Sequence, residues 1–255
     1  MSALESIKQA VQQKKQELYN ITLAMNVGGL DDLDRAHRID ITYTSNALEG
    51  NTLSAGETAL VVEKGITIGG KPLKDHLEAI DHTKALDWVF ELSEHPEHPI
   101  TQSDIRNLHK LVVAQSNPDI AGRYADRARF VNTDKGEYFF PSPLEILPLM
   151  DDFTLWLGNE ANTADSAFES HRRFVAIHPF NDGNGRTARL LMNLILLRGG
   201  YPAIAIRLSD RPAYISALEL GQSHQDYSDF NLLLYTRLDR TLDLYSVAAK
   251  QAQRS

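Results

Sequence analysis

Helical spacing of apolar residues extends over most of this 255-residue chain and leaves one long segment for β-structure. The exception is residues 128–141, where two β-prone runs flank a turn-rich stretch, so we expect a β-hairpin there. Elsewhere apolar residues recur every three or four positions, which is typical of helices. The sequence therefore predicts a mainly α fold, a bundle of helices with one small hairpin.

Serine and threonine caps and glycine stops mark the expected helix ends. Ser54 and Thr101 begin helices that end near residues 64 and 115. Between them, residues 65–70 are expected to form a turn or a small hairpin. The remaining helices are expected over residues 4–25, 31–48, 72–92, 143–157, 163–177, 183–197, 211–222 and 227–250.

The composition of the chain disfavours several classes of function. A formal net charge of −8 provides no broad basic field for nucleic acid, so any phosphate site must be local. The absence of cysteine excludes disulfides, thiolate metal sites and a cysteine nucleophile. The longest apolar run, residues 190–197, is too short to span a membrane, and the first residues do not resemble a signal peptide. We expect a cytoplasmic protein that binds neither nucleic acid nor membranes.

A glycine loop, Asp182-Gly-Asn-Gly-Arg186, precedes one of the expected helices. Glycines at a helix start let backbone N–H groups approach an anion, and the helix dipole favours negative charge there. Arg186 and Arg189 lie on the first turns of this helix, where cations oppose the dipole unless an anion is bound. Asp182 offers the hard oxygen that Mg²⁺ prefers, and His178 can accept a proton near neutral pH. The loop therefore predicts a nucleotide-phosphate site with its own base.

Each of these residues has an ordinary structural explanation when it is taken alone. A lone histidine is more often packed or capping than a base, and a lone aspartate before a helix is more often an N-cap. The phosphate site is favoured because all of these features fall within residues 178–189. Two other hypotheses stay open, a binding module that senses ATP or ADP without chemistry and a hydrolytic metal site built from His171, His178 and Asp182.

The segment His178-Pro-Phe-Asn-Asp-Gly-Asn-Gly-Arg-Thr-Ala-Arg189 matches the Fic motif, HPFx(D/E)GNGRxxR, at every defined position. The chain resembles the Fic family over about residues 30–243, including the helix that leads into the motif and the region around Gly122-Arg-Tyr124. This resemblance implies the Fic fold, with the hairpin as a flap beside the active-site loop. It also implies transfer of AMP from ATP to a serine, threonine or tyrosine hydroxyl of a target protein, which could be the chain itself.

The resemblance implies a role for each residue of the motif. His178 would deprotonate the hydroxyl that attacks the α-phosphate, and Asp182 would hold Mg²⁺ or Mn²⁺ on the phosphates. Arg186 would bind the β-phosphate region and Arg189 the γ-phosphate. The anion hole would be formed by Gly183, Asn184 and Gly185.

Residues outside the motif complete the expected site. Tyr214 and Gln222 occupy positions that resemble the adenine pocket of the family. The flap would hold the target segment by strand addition, which reads the backbone more than the side chains. The flap residues expected to do so are Phe130, Val131, Asn132 and Tyr138.

A second motif, Ser45-Asn-Ala-Leu-Glu-Gly50, resembles the inhibitory helix signature (S/T)xxxE(G/N) of the same family. Ser45 and Glu49 are four residues apart and share one face of a helix, which Gly50 can end as a left-handed cap. The resemblance implies that Glu49 pairs with Arg189 and leaves ATP bound in an unproductive pose.

These motifs divide the chain into residues 1–95, which carry the inhibitory helix (about 31–50), and a catalytic core over residues 96–255. Three alternatives stay open within this fold. Glu49 could position a water that removes AMP, the donor could be UTP or CDP-choline, or the γ-phosphate could be transferred. The chain could also form a homo-oligomer.

Overall fold

The structure, a computed structural model, describes residues 2–23, 30–133 and 136–253. In this part of the chain it forms ten α-helices and one antiparallel hairpin, so the mainly α prediction is confirmed. The helices are α1 (Ala3–Leu23), α2 (Asp31–Leu48), α3 (Ala55–Lys64), α4 (Leu73–Ser93), α5 (Gln102–Val112), α6 (Pro143–Asn159), α7 (Ala164–Ile177), α8 (Asn184–Arg198), α9 (Arg211–His224) and α10 (Ser228–Ala252). The hairpin strands are β1 (Phe130–Thr133) and β2 (Gly136–Phe139).

Helix α8 lies in the middle of the bundle, with α2, α4, α5 and α7 packed around it. Apart from Gly185, its residues are buried from the first as far as Leu196, so it is enclosed on all sides although its first turns carry polar and charged residues. Asn193 interrupts the apolar run of this helix. The hydrogen-bonding groups of its side-chain amide are satisfied, because the amide forms two hydrogen bonds with the backbone of Ile204. The packing around α8 therefore fixes its N-terminus, where the glycine loop lies.

Helix α1 lies along α10, so the two ends of the described chain meet. Val11 is fully buried in this contact, and Lys14 forms ion pairs with Asp239 and Asp243. The boundary that we place between residues 95 and 96 stays a prediction. Within the described residues, no helix has both the length and the apolar character needed to cross a bilayer.

The expected helix starts at Ser54, Thr101 and Thr163 are found, each with a capping box. Residues 65–70 form a turn and not the small hairpin that we allowed as an alternative. Helix α5 stops at Val112, before the predicted end near residue 115. The helix ends early because the buried carboxylate of Asp81, which is distant in the chain, accepts hydrogen bonds from the backbone of Gln115 and Ser116.

The hairpin predicted over residues 128–141 is present, with Phe130 opposite Phe139 and Val131 opposite Tyr138. Residues 134 and 135 of its turn lie outside the described residues. Its base is closed by a hydrogen bond from Phe140 N to Arg129 O (3.0 Å). The chain then enters α6, so the hairpin projects from the bundle beside the glycine loop.

Candidate active site

His178 ends α7 in a left-handed backbone conformation, with φ at 50°. This geometry is uncommon for a residue other than glycine and turns the side chain out of the helix direction. The ring stacks on Phe140 at the base of the flap, with centroids 3.8 Å apart and planes within 14°. Its Nδ1 faces the carbonyl of Val175 at 3.4 Å, which leaves Nε2 as the nitrogen that can accept a proton.

The pKa of His178 is lowered to about 4, mainly by burial, and the positive charge of Arg129 acts in the same direction. The carbonyl of Val175 and the carboxylates of Glu49 and Asp182 act in the opposite direction, but each of these effects is smaller than that of burial. The imidazole is therefore neutral at physiological pH. A neutral imidazole with one free nitrogen is the form that a general base requires.

The loop after His178 is held by Phe180, which is fully buried, and by Asn184. The side-chain amide of Asn184 accepts a hydrogen bond from Phe180 N (2.9 Å) and donates one to Phe180 O (2.8 Å). The ring of Phe180 stacks on His109, with centroids 3.6 Å apart and planes within 5°. His109 also contacts Asp182 O through Nε2 (3.0 Å) and accepts from Gly122 N through Nδ1. The side chain of Asn184 therefore holds the loop in place. Its backbone N–H, at the N-terminus of α8, is the group that remains for an anion.

The N-terminus of α8 forms a cradle in which backbone N–H groups face outward, as in other helix-end anion sites. Gly183 has a left-handed φ of 76°, and a Cβ there would press on Val113 and His109. At Gly185, a Cβ would collide with Oε1 of Glu49. The backbone at Gly183 therefore favours glycine, whereas a side chain at Gly185 would have to displace the carboxylate of Glu49, which lies directly against the cradle.

Arg189 is buried and converges with Glu49 and Ser45, as the inhibitory signature predicts. Its Nη2 donates to Glu49 Oε1 (2.7 Å) and to Ser45 O (2.9 Å), and its Nε donates to Ser45 Oγ (3.0 Å). Tyr214 lies close enough to this guanidinium for the two groups to shift each other's pKa. Gly50 follows Glu49 with φ at 97°, the left-handed conformation expected of a helix-ending glycine.

The two charges of this pair stabilise each other. Burial alone would raise the pKa of Glu49, but the charge and hydrogen bond of Arg189 hold that pKa below its ordinary value. Burial alone would lower the pKa of Arg189, whereas Glu49 raises it. Both groups are therefore charged at neutral pH, although the Glu49 side chain keeps 41% of its surface exposed.

Arg186 is also buried, with its side chain 3% exposed. Its Nη1 lies 3.3 Å from Oε1 of Glu78 on α4, and its Nη2 lies 3.7 Å from Oδ1 of Asp182. Among the described residues, none accepts a hydrogen bond from Nε or Nη1 of Arg186. This guanidinium therefore has ion-pair partners but keeps donor groups that an anion could use.

Asp182 is the one acidic residue of the loop, and 47% of its side chain is accessible. Its Oδ1 accepts from Gly183 N (2.6 Å), so one oxygen braces the loop. In the described part of the chain, no three histidine, aspartate or glutamate side chains are grouped as a metal centre would need. His171 in particular is fully buried against Tyr214, so the alternative site of His171, His178 and Asp182 is not assembled.

The residues expected in the adenine pocket lie on α9. Tyr214 is 3% exposed and its hydroxyl lies 2.8 Å from Nε2 of His171. Burial raises the pKa of Tyr214 to about 12, so the hydroxyl stays protonated and can donate. Gln222 lies further along the same helix and is half-buried. The contacts of both residues with adenine stay predictions.

The flap residues present a largely apolar surface. Phe130 is 51% exposed and Val131 is 42% exposed, and the ring of Phe130 packs against Phe139. Tyr138 is half-buried, with its ring edge-on to Phe140. An aromatic row therefore runs from the flap through Phe140 to the His178 ring. Of Asn132, only its place in β1 opposite Glu137 is described.

Three residues of this site were missed from the sequence, namely Phe140, His109 and Glu78. Phe140 lay within the predicted hairpin, but nothing local indicates that its ring covers His178. His109 and Glu78 each contact a motif residue that is far away in the chain, and a single sequence carries no signal for such a pair. The motif's own residues were found because they are close together in sequence.

The sequence profile of the Fic/DOC family matches residues 99–196. A protein of Nematostella vectensis named protein adenylyltransferase Fic is 36% identical over 207 residues, which are 80% of this chain and 47% of that protein. Protein adenylyltransferase fic-1 of Caenorhabditis elegans is 35% identical over 186 residues, 70% of this chain and 35% of that protein. The chain thus spans less than half the length of these curated relatives.

Solved structures show a likeness over nearly the whole chain. A Fic domain containing signaling protein from Bacteroides thetaiotaomicron is 30% identical, with a TM-score of 0.85. The match covers 95% of this chain and 97% of that one. Fic-1 of C. elegans, residues 134–508, is 29% identical with a TM-score of 0.81 and covers 94% of this chain and 71% of that one.

Proposed function

This chain belongs to the Fic family, and on that premise we propose that it transfers AMP from ATP to a serine, threonine or tyrosine hydroxyl of a target protein. One observation carries the proposal. The carboxylate of Glu49 lies against Gly185 at the N-terminus of α8, between a neutral His178 and a buried Arg189. A charged carboxylate in that place supports the proposal that an anion can lie against the cradle, and a phosphate is the larger anion for which two arginines and a base are suited.

In the proposed reaction, Nε2 of His178 accepts the proton of the target hydroxyl. The hydroxyl oxygen forms a bond to the α-phosphorus of ATP, the bond from that phosphorus to the bridging oxygen breaks, and pyrophosphate leaves. Backbone N–H groups from Gly183 to Gly185, together with Arg186 and Arg189, stabilise the charge on the phosphates. Catalysis of this kind depends mainly on positioning and on electrostatic stabilisation.

The residues present fit a magnesium ion that binds together with its nucleotide. Mg²⁺ commonly takes one or two protein carboxylates and completes its shell with phosphate oxygens and water. Asp182 provides one half-exposed carboxylate next to the cradle, which matches this mode of binding. Bound there, Mg²⁺ or Mn²⁺ would neutralise part of the charge on the α- and β-phosphates.

The flap provides the proposed docking surface for the target segment. β1 and β2 form a two-stranded sheet, so an extended peptide can add to an edge of the hairpin. The exposed side chains of Phe130 and Val131 give that peptide an apolar contact, and the stack of Phe140 on His178 places the base next to the flap. A target held in this way would present its hydroxyl to Nε2.

We further infer that the protein inhibits itself through Glu49. The carboxylate holds Arg189, the residue assigned to the γ-phosphate, and lies against the cradle. ATP could then bind only with its terminal phosphate displaced, which turns the α-phosphate away from in-line attack. Glu49→Gly should therefore raise transfer strongly, whereas His178→Ala should abolish it.

These variants test both the reaction and its inhibition. The experiment uses ATP labelled at the α-phosphate, in the presence of Mg²⁺. The measured quantity is the label incorporated into this protein and into the proteins of a host lysate. His178→Ala placed in the Glu49→Gly protein serves as the control for non-enzymatic labelling. Equal labelling by the wild-type and Glu49→Gly proteins would refute the inhibition, and labelling that survives His178→Ala would refute the base.

The removal of AMP is a second candidate, favoured by the state of Glu49. Its carboxylate is charged, 41% exposed and next to the cradle, so it could orient a water molecule toward a bound phosphodiester. Incubation of an AMP-modified target with the protein and metal, without ATP, separates the two activities. Loss of AMP with the wild type but not with Glu49→Gly would favour removal.

A further inference from the structure

We propose that Glu78 is a positioning residue that controls Arg186 as Glu49 controls Arg189, so that each arginine of the phosphate site has its own inhibitory carboxylate. The inference rests on the proposed function, because it assumes that Arg186 meets a phosphate group. It concerns a residue on α4, outside both motifs. Its basis is the burial and hydrogen bonding of Glu78 together with the state of Arg186.

The Glu78–Arg186 pair is buried but incompletely hydrogen-bonded. The two side chains are 9% and 3% exposed, and Oε1 of Glu78 lies 3.3 Å from Nη1 of Arg186. This is an ion-pair distance, yet the direction of the contact does not make a hydrogen bond, since Nη1 has no acceptor among the described residues. Glu78 therefore neutralises a buried cation without saturating its donors. A phosphate could take those donors, but it would have to approach the Glu78 carboxylate.

The position of Glu78 is fixed by the segment that follows the inhibitory helix. Its Oε2 accepts a hydrogen bond from Nδ2 of Asn51 (3.0 Å), which also donates to Asp75 O. Its backbone carbonyl accepts from Nδ2 of Asn46 (3.3 Å). Asn51 comes two residues after Glu49, so the same stretch of chain places both carboxylates.

This arrangement couples the two arginines. A movement of the end of α2 that withdraws Glu49 from Arg189 also carries Asn51 away from Glu78. Oε1 of Glu78 already forms an ion pair with the exposed Lys74 (3.6 Å). Once Asn51 no longer fixes Oε2, this ion pair can draw the carboxylate away from Arg186. Release of the inhibitory helix would thus free Arg189 and Arg186 in one step, and the nucleotide would meet two available guanidinium groups.

Glu78→Gln tests the charge of this carboxylate while preserving its shape and an acceptor for Asn51. The matched control is Asp75→Asn. Asp75 lies on the same helix and holds the same segment through Thr52, but the structure gives it no contact with Arg186. Affinity for ATP and for inorganic pyrophosphate is measured by calorimetry, and thermal unfolding is followed without ligand.

We expect Glu78→Gln to bind both ligands about fivefold more tightly, because a negative charge next to the phosphate site is removed. The ligand-free variant should unfold at a lower temperature than the wild type, since a buried guanidinium loses its counter-ion. A merely structural role would lower both stability and affinity. Asp75→Asn should bind both ligands within about twofold of the wild type.

Unchanged or weaker binding by Glu78→Gln would overturn the proposal, as would the absence of pyrophosphate binding in every variant. If Glu78→Gln does not fold, Glu78→Asp is the second variant, because it keeps the charge but withdraws it from Arg186 by one methylene group. We then expect a smaller gain in affinity for ATP and pyrophosphate. An affinity equal to that of the wild type would contradict the proposal. If Glu78→Gln tightens binding while Glu49→Gly transfers no AMP, Glu78 keeps its assignment and the proposed function fails.

Discussion

The imidazole of His178 owes its chemistry to one neighbour in particular. Phe140 stacks on it at 3.8 Å and excludes water from one face of the ring. Burial is the largest cause of the low pKa, about 4, and the left-handed backbone keeps the ring in that position. A base with this pKa is already unprotonated throughout the physiological range, although it is a weaker base than an exposed histidine.

Phe140→Ala should move the acid limb of the pH–rate profile upward. Without the stacked ring, water reaches the imidazole and the pKa of His178 rises toward its ordinary value of 6.5. In the Glu49→Gly background, transfer should be nearly constant from about pH 8 to pH 6, and the added Phe140→Ala change should make it fall in that window. The measurement is the initial rate of AMP incorporation as a function of pH. Phe139→Ala, on the exposed neighbour, is the control, and identical profiles for both variants would contradict the role of Phe140.

The sequence was sufficient for residues whose partners are near in the chain and insufficient for the others. His178, Asp182 and Arg186 could be assigned because one loop and one helix turn bring them together. Glu49 could be paired with Arg189 only through the family resemblance, since 140 residues separate them. His109, which supports Asp182 O from 73 residues away, has no local pattern to distinguish it from an ordinary core histidine.

Among the elements, α2 matches its prediction at both ends, over residues 31–48. Local signals sufficed here, since acidic residues open the helix and Gly50 follows its end. The early end of α5 had no such signal, because Asp81 on α4 captures the backbone after Val112. Element ends set by side chains from another helix cannot be read from a single sequence.

Ser45→Ala should release the proposed inhibition by α2 only in part. The hydroxyl of Ser45 accepts from Nε of Arg189, and its loss leaves the Glu49 ion pair in place. A hydrogen bond to a charged group contributes roughly 1.5–3 kcal/mol, so transfer should rise by about tenfold, less than with Glu49→Gly. Thr44→Ala is the control, because the Thr44 hydroxyl bonds to carbonyls of its own helix. Rates for Ser45→Ala equal to those of the control would show that the hydroxyl does not hold Arg189.

At the scale of the whole molecule, the interior around α8 contains several neutral histidines. His82, His109 and His171 are fully buried, and burial lowers their pKa values to about 3, 4 and 3. The charges of Arg186 and Arg189 lower the pKa of His82 as well. The fold therefore places two buried arginines, Arg186 and Arg189, at one site and keeps the histidines packed near them neutral.

This arrangement predicts that the protein loses stability in mild acid. The folded-state pKa values of these histidines lie below the ordinary value of 6.5, so below that pH the unfolded chain binds protons that the folded chain does not. Their contribution is complete above pH 6.5 and falls as the pH drops toward about 4, by up to about 1.4 kcal/mol per pH unit for each histidine. Urea unfolding at several pH values between about 7.5 and 5 measures the slope. His82→Gln should reduce it by about one quarter, because His178, with its pKa of about 4, contributes as well as His109 and His171. A free energy of unfolding that stays constant across this window would mean that these imidazoles can be protonated inside the folded protein.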